Sequence, residues 1–187
     1  MRGVVGGILA GLWLWCAVGV CASGQEVRRE RGSRFIVSVG DEMPRMSFVT
    51  SEGDSIDSDF LLGRVVVIDF CASWCPFSPS QMWYHERVLM ERYRDVADFM
   101  MYVVCEDEGE GRAAFAGIVR EEGITIPVVY DEGERLYGLF MTPRGSVTRT
   151  VVVGPDGRIA HLEDGHTRGG LRRIRRCVRG LVRGMGE

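Results

Sequence analysis

The sequence predicts an α/β fold in which a mixed central β-sheet is flanked by helices, with a short β-hairpin ahead of the core. Three observations predict this fold. The run "VVVIDF" (65–70) is apolar throughout, as in a strand that is buried on both faces. Strand and helix patterns then alternate along the chain. Finally, a hairpin pattern, "SVTRTVVVGPDGRIAHLED", and an amphipathic helix end the chain.

The first 22 residues differ in composition from the rest of the chain. One arginine precedes an uncharged apolar run, which ends in the stretch Val20-Cys21-Ala22. This arrangement is typical of a secretory signal peptide (1–22), so we expect an exported protein of the periplasm or cell envelope. An uncleaved signal that anchors the chain, or a lipid anchor on Cys21, are the alternatives. We expect contact with a membrane only if one of these anchors exists.

The rest of the chain predicts one domain. Residues 23–38 are polar and rich in arginine, which indicates a flexible spacer, and residues 39–187 form the predicted domain. Two short alternating runs, separated by turns that contain glycine, predict its N-terminal hairpin. A helix is expected from Pro79 to about Tyr93. Further strands are predicted over 98–105 and in "ITIPVVYD", and further helices in "RAAFAGIVREEG", "EGERLYGLF" and "HTRGGLRRIRRCVRGLVRG".

Charge and histidine spacing exclude some classes of function. The chain has 187 residues and a formal net charge of -3, which argues against general nucleic-acid binding. Its three histidines (His85, His161 and His166) lack metal-ligand spacing, so we expect surface histidines, no metal and no cofactor. The acidic loop "EDEGEG" and the arginine face of the last helix are expected to be solvated. An acidic lipid or a partner against that arginine face is the alternative.

Four of the six cysteines lie outside the predicted signal peptide: Cys71, Cys75, Cys105 and Cys177. Their uneven spacing does not indicate a disulfide scaffold, and a chain of this length does not need one. Cys105 follows an apolar run and is expected in the core. Cys177 lies beside the apolar stripe of the last helix and is expected to be half-buried.

The stretch "DFCASWCPFSPSQM" joins a buried strand to a helix. The strand reaches Asp69, and a Trp-Cys-Pro sequence around Cys75 opens the turn before the helix. Together with the hairpin that precedes it, this order of elements resembles the thioredoxin superfamily, and more narrowly its exported TlpA/ResA-like branch. The resemblance covers roughly residues 39–182. It implies a thioredoxin-like fold and thiol-disulfide exchange.

The resemblance also implies roles for individual residues. Cysteine reacts as the thiolate, and a helix N-terminus favours that form. Cys75, which follows Trp74 at such a turn, is therefore the expected nucleophile, and a buried structural cysteine is the alternative. Asp69 matches the buried acid behind the nucleophile, where a carboxyl group can shuttle a proton. A capping or salt-bridged aspartate is the alternative for Asp69.

The helix start departs from the family's dithiol site. Ser78 stands where the resolving cysteine belongs, so it could hydrogen-bond a thiolate but could not release a mixed disulfide. The sequence Ser78-Pro79-Ser80-Gln81 also has the pattern of a capping box, which predicts Ser78 as the N-cap. Cys71 is expected to be a structural residue of the core, and a role as the missing resolving thiol is the alternative.

The loop that faces the reactive cysteine departs from the family as well. Thr148, preceded by Val147, stands in the slot of the family's cis-proline, and Pro143 lies too early in the chain to fill it. We therefore expect Val147 and Thr148 to form the substrate loop. The absence of proline from this slot puts the usual peptide groove in doubt.

Taken together, these features predict an exported thiol-disulfide oxidoreductase or isomerase that uses Cys75 alone. Its expected partners are disulfide-containing envelope proteins and an external thiol donor. A redox-inactive binding module with a degenerate thioredoxin fold is the main alternative. A peroxiredoxin-like peroxidase is less favoured, because its reactive cysteine needs a threonine or serine three residues earlier, where this chain has Ala72.

Overall fold

The computed structural model of the protein describes residues 34–142 and 147–186. The predicted signal peptide and most of the predicted spacer lie outside these residues. The α/β architecture is confirmed: a five-stranded mixed sheet has the order β5-β4-β3-β6-β7, and a separate two-stranded hairpin, β1-β2, precedes it. The strands are β1 Ser47–Val49, β2 Ser55–Asp57, β3 Val65–Cys71, β4 Phe99–Cys105, β5 Val128–Tyr130, β6 Arg149–Val153 and β7 Ile159–Asp164.

The helices cover both faces of this sheet. The helical segment predicted between Pro79 and about Tyr93 is continuous from Ser78 to Tyr93, with one π-helical turn inside it. The helices are α1 Ser58–Leu61, α2 Ser78–His85, the π-helical turn Glu86–Met90, α3 Glu91–Tyr93, α4 Glu110–Glu121, a 3-10 turn Glu132–Glu134, α5 Tyr137–Phe140 and α6 Arg168–Gly184. Within residues 34–142 and 147–186, none of the helices combines the length and apolar character needed to span a bilayer.

The central strand β3 is buried along its whole length, as its uninterrupted apolar sequence predicts. It pairs in parallel with β4 and antiparallel with β6. This register places Asp69 between Val103 of β4 and Thr150 of β6. Side chains alternate between the two faces of a strand, so Asp69 points to the same face as Val67 and Cys71.

Two core layers fill the two faces of the sheet. The hairpin-side layer contains Phe70, Cys75 and Val147, together with residues of α5. The helix-side layer contains Cys71 and the apolar residues of α2, α4 and α6 that cover it. The aspartate of β3 therefore points into the helix-side layer, beneath α2.

The packed chain begins before residue 39, which is the domain start that the sequence predicts. Phe35 is buried in the hairpin-side layer and forms an isolated β-bridge with Met141. The amide of Ile36 donates to the carbonyl of Phe140 at 2.9 Å. The last residues of the predicted spacer are thus part of the folded domain.

The predicted hairpin near the C-terminus is confirmed. Strands β6 and β7 pair antiparallel on either side of a turn that ends at Gly157. Gly157 has φ of 73°, a left-handed conformation that glycine adopts without the steric cost of a side chain. After this hairpin, α6 packs Leu171, Ile174 and Val178 onto the helix-side layer. The arginines of α6 are exposed and face away from the core.

Glu86 ties the π-helical turn to the segment before β5. Its side chain is buried and accepts hydrogen bonds from the Thr125 amide at 2.7 Å, the Thr125 hydroxyl at 2.7 Å and the Ile126 amide at 3.2 Å. Arg94 forms an ion pair with it at 3.5 Å. The sequence reveals no such role for Glu86, because the hydrogen-bond donors Thr125 and Ile126 lie about forty residues away.

We expect Glu86→Ala to lower the free energy of unfolding by about 3 kcal/mol, since two buried amides and one hydroxyl would lose their acceptor. Urea unfolding followed by circular dichroism measures this change. Glu91→Ala is the matched control, because its ion pair with Arg87 is largely exposed and contributes less than about 1 kcal/mol. Equal losses in the two variants would show that the buried contacts of Glu86 do not stabilise the fold.

Candidate active site

The turn between β3 and α2 carries Cys75. The Cys75 amide donates to the Ala72 carbonyl at 3.3 Å, and the Ser78 amide donates to the Cys75 carbonyl at 3.1 Å. The Ser78 hydroxyl accepts from the Ala72 amide at 3.1 Å and closes the turn. The turn is therefore held by three internal hydrogen bonds and leads directly into α2.

The predicted capping box is wrong. Ser78 is the first residue of α2 rather than its N-cap, and Phe77 precedes it without a side-chain cap. The Ser78 hydroxyl turns back toward Ala72, and the Gln81 side chain bonds to Asp69 instead of the helix end. Tertiary partners thus override the local capping pattern.

Cys75 itself is buried, with 5% of its surface exposed. Two aromatic side chains beside it face the solvent: Trp74 is 62% exposed and Phe77 is 55% exposed. Among the described contacts, the Ser78 hydroxyl bonds to the Ala72 amide and makes no hydrogen bond to the Cys75 sulfur. The predicted support of the Cys75 thiolate by Ser78 is therefore absent from this arrangement.

Asp69 lies at the centre of a buried polar cluster. It is fully buried, and one carboxylate oxygen, Oδ1, accepts from Gln81 Nε2 at 2.6 Å and from the Thr150 hydroxyl at 3.0 Å. The other oxygen, Oδ2, lies 3.0 Å from His85 Nδ1 and accepts from the Cys71 thiol at 3.4 Å. The thiol in direct contact with this acid is thus Cys71.

The expectation of three surface histidines is wrong for His85, which is fully buried beside Asp69. Its position on α2, one turn after Gln81, is the sequence signal that could have placed it on the buried face. His166 is half-buried: its Nδ1 lies 3.2 Å from Gln81 Oε1, and its ring stacks on Phe77. Burial lowers the pKa of His166, and the nearby His85 adds to that effect, while Asp69 opposes it.

All four cysteines in the described part of the chain are free thiols. Burial raises the pKa of Cys71 well above its usual value, and the charge of Asp69 raises it further. Burial also raises the pKa of Cys105 and, to a smaller degree, that of Cys177. Cys71 and Cys105 are neighbours across β3 and β4 and lie in the same core layer.

The predicted substrate loop lies beside the cysteine turn. The peptide bond between Val147 and Thr148 is cis. Val147 packs in the same core layer as Cys75, and the Thr148 carbonyl accepts from the Gly165 amide at 2.9 Å. Pro143 lies outside the described residues.

Arg149, the residue after this loop, is a buried anchor. Its side chain is fully buried, and it donates to the Tyr137 hydroxyl at 2.7 Å and to Asp164 at 2.9 Å. The sequence predicts a strand at this point but not a buried arginine, because the two partners come from α5 and β7. Arg149 therefore fixes where β6 begins and, with it, the position of Thr148.

The acidic loop after β4 is not wholly solvated, contrary to the prediction. Asp107 is buried and accepts from the Ser73 amide at 2.6 Å, the Ser73 hydroxyl at 2.8 Å and the Cys105 thiol at 3.4 Å. Ser73 belongs to the turn that carries Cys75. Asp107 thus holds the turn that carries Cys75 against the end of β4.

Comparison with known proteins finds one family model and several relatives that are named as thiol-disulfide oxidoreductases. The AhpC/TSA family model matches residues 39–162. The chain is 24% identical to the thiol-disulfide oxidoreductase ResA of Bacillus anthracis over 123 residues, which are 66% of this chain and 68% of that protein. It is 21% identical to ResA of Bacillus subtilis (strain 168) over 130 residues, with 69% of each chain covered.

Solved structures confirm the thioredoxin-like fold. A proposed protein disulfide isomerase from Bacteroides thetaiotaomicron matches with a TM-score of 0.74 and 22% identity, over 80% of this chain and 92% of that one. A thiol:disulfide interchange protein of the thioredoxin family from Chlorobium tepidum matches with a TM-score of 0.63 and 19% identity, over 78% and 99%. A secreted disulfide oxidoreductase from Mycobacterium tuberculosis matches with a TM-score of 0.60 and 15% identity, over 73% and 96%.

Glu106, beside this site, combines burial with an unfavourable electrostatic environment. Its Oε1 atom is buried and has no hydrogen-bond partner among the described residues. Burial raises the pKa of Glu106 to about 9, and the negative charges of Asp131, Glu134 and Asp107 contribute to the increase. The folded protein therefore keeps this carboxyl group protonated at neutral pH.

We expect Glu106 to make the protein less stable as pH rises. The pKa of Glu106 is about 9 in the folded protein and 4.5 for an ordinary glutamate. Below about pH 4.5 the group is protonated in both states and does not change the free energy of unfolding. Between about pH 4.5 and 9 only the unfolded state releases the proton, so the free energy of unfolding falls as pH rises. Its contribution at pH 7 is at most about 3 kcal/mol. Glu106→Gln should flatten the pH dependence of urea unfolding between pH 5 and 8. The exposed control Glu121→Gln should keep it, and an unchanged slope in Glu106→Gln would contradict the assignment.

Proposed function

The chain belongs to the AhpC/TSA family, and from this membership and the surroundings of Cys75 we propose that it is a thiol-disulfide oxidoreductase acting through Cys75. One observation carries the proposal: a cysteine at the turn from a buried strand into a helix, flanked by exposed Trp74 and Phe77 and set against the Val147-Thr148 loop. The names of the ResA relatives support the same class of reaction.

The first step of the reaction is attack by the Cys75 thiolate on a disulfide of the substrate. A bond forms between Cys75 Sγ and one substrate sulfur, the substrate S–S bond breaks, and the other substrate sulfur leaves as a thiolate that takes a proton from water. Cys75 lies three residues before the first residue of α2, close to the amide end of that helix. The product of this step is a mixed disulfide.

The exposed aromatic side chains provide the contact surface for a polypeptide substrate. Trp74 and Phe77 stand on either side of the turn, and aromatic side chains are enriched where proteins bind other proteins. The register of β6 against β3 pairs Phe70 with Arg149, so Val147 and Thr148 lie toward the end of β3 that leads into the turn, and we propose them as its facing wall. A disulfide in an extended loop of a partner protein fits this arrangement better than a small molecule does.

We place the reaction outside the cytoplasm. The composition of residues 1–22 supports export, and protein disulfides persist in such compartments. The secreted disulfide oxidoreductase from Mycobacterium tuberculosis, which shares the fold, is consistent with this location. The proposed substrates are disulfide-containing envelope proteins, and an external thiol donor returns the site to its reduced form.

The same exposed surface also fits a second function, that of a binding module without redox activity. The burial of Cys75 and the absence of a cysteine at Ser78 favour this alternative. In that case Trp74 and Phe77 would hold a partner without covalent chemistry. The two functions differ in whether Cys75 forms an adduct.

We expect the reduced protein to form a mixed disulfide with a model peptide that contains one disulfide bridge. Cys75→Ser should lower the rate of adduct formation at least about a hundredfold, since a hydroxyl does not exchange with disulfides. Rapid acid quenching and intact-mass spectrometry measure the adduct. Cys177→Ser, on the outer part of α6, should leave the rate unchanged. Equal adduct formation in the wild type and Cys75→Ser would contradict thiol-disulfide exchange through Cys75 and favour the binding module without redox activity.

A further inference from the structure

We propose that Cys71 is the resolving thiol of this site, that Asp69 accepts its proton, and that His85 positions Asp69 for that transfer. The proposal rests on the proposed function of Cys75. It replaces the external thiol of the release step with an internal one. The site would then be a C-x-x-x-C pair, Cys71 and Cys75, rather than a single cysteine.

A single tight turn, from Ala72 to Cys75, separates the two cysteines along the chain. The hydrogen bond from the Cys75 amide to the Ala72 carbonyl is that of a β-turn, whose ends lie within about 7 Å. A disulfide needs its Cα atoms within about the same distance, and Cys71 immediately precedes the turn. Cys71 and Cys75 belong to opposite core layers, so a disulfide between them would have to form around the end of β3.

The electrostatics of Cys71 agree with this closeness. Burial is the main cause that raises the pKa of Cys71, the charge of Asp69 follows, and Cys75 is near enough to raise it slightly further. A hydrogen bond with Ser78 acts in the opposite direction. Cys71 therefore stays a thiol in the resting protein, and it needs a base in contact before it can attack.

Asp69 is the base that touches Cys71. Its Oδ1 atom is fixed by the Gln81 amide and the Thr150 hydroxyl, so the carboxylate cannot rotate freely. This leaves Oδ2 facing the Cys71 thiol at 3.4 Å and the His85 ring at 3.0 Å. A carboxylate oxygen has two acceptor sites, so Oδ2 can take the proton of Cys71 while it still accepts from His85.

His85 acts through Asp69 rather than on the sulfur. Its Nε2 atom is buried without a partner among the described residues, so the tautomer that leaves no donor unpaired carries its proton on Nδ1 and donates to Asp69. The Nδ1 donor holds Oδ2 in place beside the Cys71 thiol.

The release step then balances without an external thiol. The Cys71 proton passes to Asp69 Oδ2, and the Cys71 thiolate attacks Cys75 Sγ in the mixed disulfide. A Cys71–Cys75 bond forms, the bond from Cys75 to the substrate breaks, and the second substrate sulfur leaves as a thiolate that water protonates. Two electrons pass from the two cysteines to the substrate disulfide, and an external dithiol returns them in a later exchange.

Cys105 is the competing partner for Cys71. The two residues are directly paired in the parallel ladder of β3 and β4. The Cys105 thiol, however, donates to Asp107, which holds the reactive turn. A Cys71–Cys105 disulfide would therefore leave Cys75 without a resolving partner.

The lifetime of the mixed disulfide tests the role of Cys71. In a Cys177→Ser background, reaction with the bridged peptide should end in a Cys71–Cys75 disulfide, identified by peptide mapping. Adding Cys71→Ser should leave adduct formation at Cys75 intact and lengthen adduct lifetime at least about tenfold, while Cys105→Ser should change neither. Unchanged adduct decay in Cys71→Ser, or a disulfide that contains Cys105, overturns the proposal. Failure of the adduct to form at all counts instead against the proposed function.

The pH dependence of adduct decay tests Asp69. The titratable groups around Cys71 are Asp69, Cys75, His85 and Cys105, with His166 farther out. With Asp69→Asn, decay should slow and should rise about tenfold per pH unit between pH 7 and 9, because the buried Cys71 thiol must then lose its proton without a base in contact. Adduct formation should change less than decay. A decay profile identical to that of the parent overturns the role of Asp69.

Two substitutions of His85 separate positioning from packing. Asn can place its Nδ2 donor near the site of His Nδ1, whereas Leu cannot donate. His85→Leu should slow adduct decay about tenfold and shift its pH profile toward that of Asp69→Asn, and His85→Asn should restore much of the rate. Equal decay in the two variants, with both folded by circular dichroism, overturns the positioning role. If His85→Leu does not fold, a His85→Asn profile that matches Asp69→Asn also overturns it, and a parent-like profile supports it.

Discussion

The side chain of Asp69 lies beneath α2 without contact to solvent, and a buried carboxyl group needs hydrogen-bond partners for both of its oxygens. The chain supplies these donors from three elements: β3 itself, α2 and β6. Gln81 and His85 can reach Asp69 only if α2 crosses directly above β3, and Thr150 can reach it only in the observed register of β6. The buried acid therefore fixes how the helix and the strands meet at the reactive turn.

The start of α2 follows from the same constraint. The Gln81 side chain donates to Asp69, and the Ser78 hydroxyl accepts from the Ala72 amide, so neither side chain caps the helix. From the other side, Asp107 binds the backbone and hydroxyl of Ser73. The turn around Cys75 is thus held at both of its ends by side chains that are themselves buried. Its conformation depends on packing against β3 and β4 and not on local capping.

Sequence patterns predicted the elements whose cause is local. The uninterrupted apolar run of β3, the glycine-containing turn between β6 and β7, and the apolar stripe of α6 each identify an element without reference to any other. The same patterns, with the family resemblance, predicted the fold and the position of Cys75 at the turn. For these parts of the chain, local preference and tertiary structure agree.

The predictions that were wrong depend on partners distant in sequence. The capping box at Ser78 is a valid local pattern, but Asp69 and Ala72 offer its side chains better partners once the chain is folded. His85 looks like any polar residue of a helix until the face of α2 that meets Asp69 is known. Asp107 belongs to an acidic run, and its partner Ser73 lies 34 residues earlier. Such residues become recognisable only when two elements are placed together.

Ser78 has a structural role in the turn that carries Cys75. Its hydroxyl serves the turn as an acceptor for the Ala72 amide, and it is fully buried next to Cys71. A cysteine sulfur at position 78 would be a poorer acceptor than the hydroxyl, and it is larger than the oxygen that the buried position now holds. Position 78 has no thiol, but the thiol of Cys71 lies beside the Ser78 hydroxyl and in contact with Asp69. Under the proposed role of Cys71, dithiol chemistry at this site needs no cysteine at position 78, because a buried thiol and a carboxyl group in contact with it lie on the strand side of the turn.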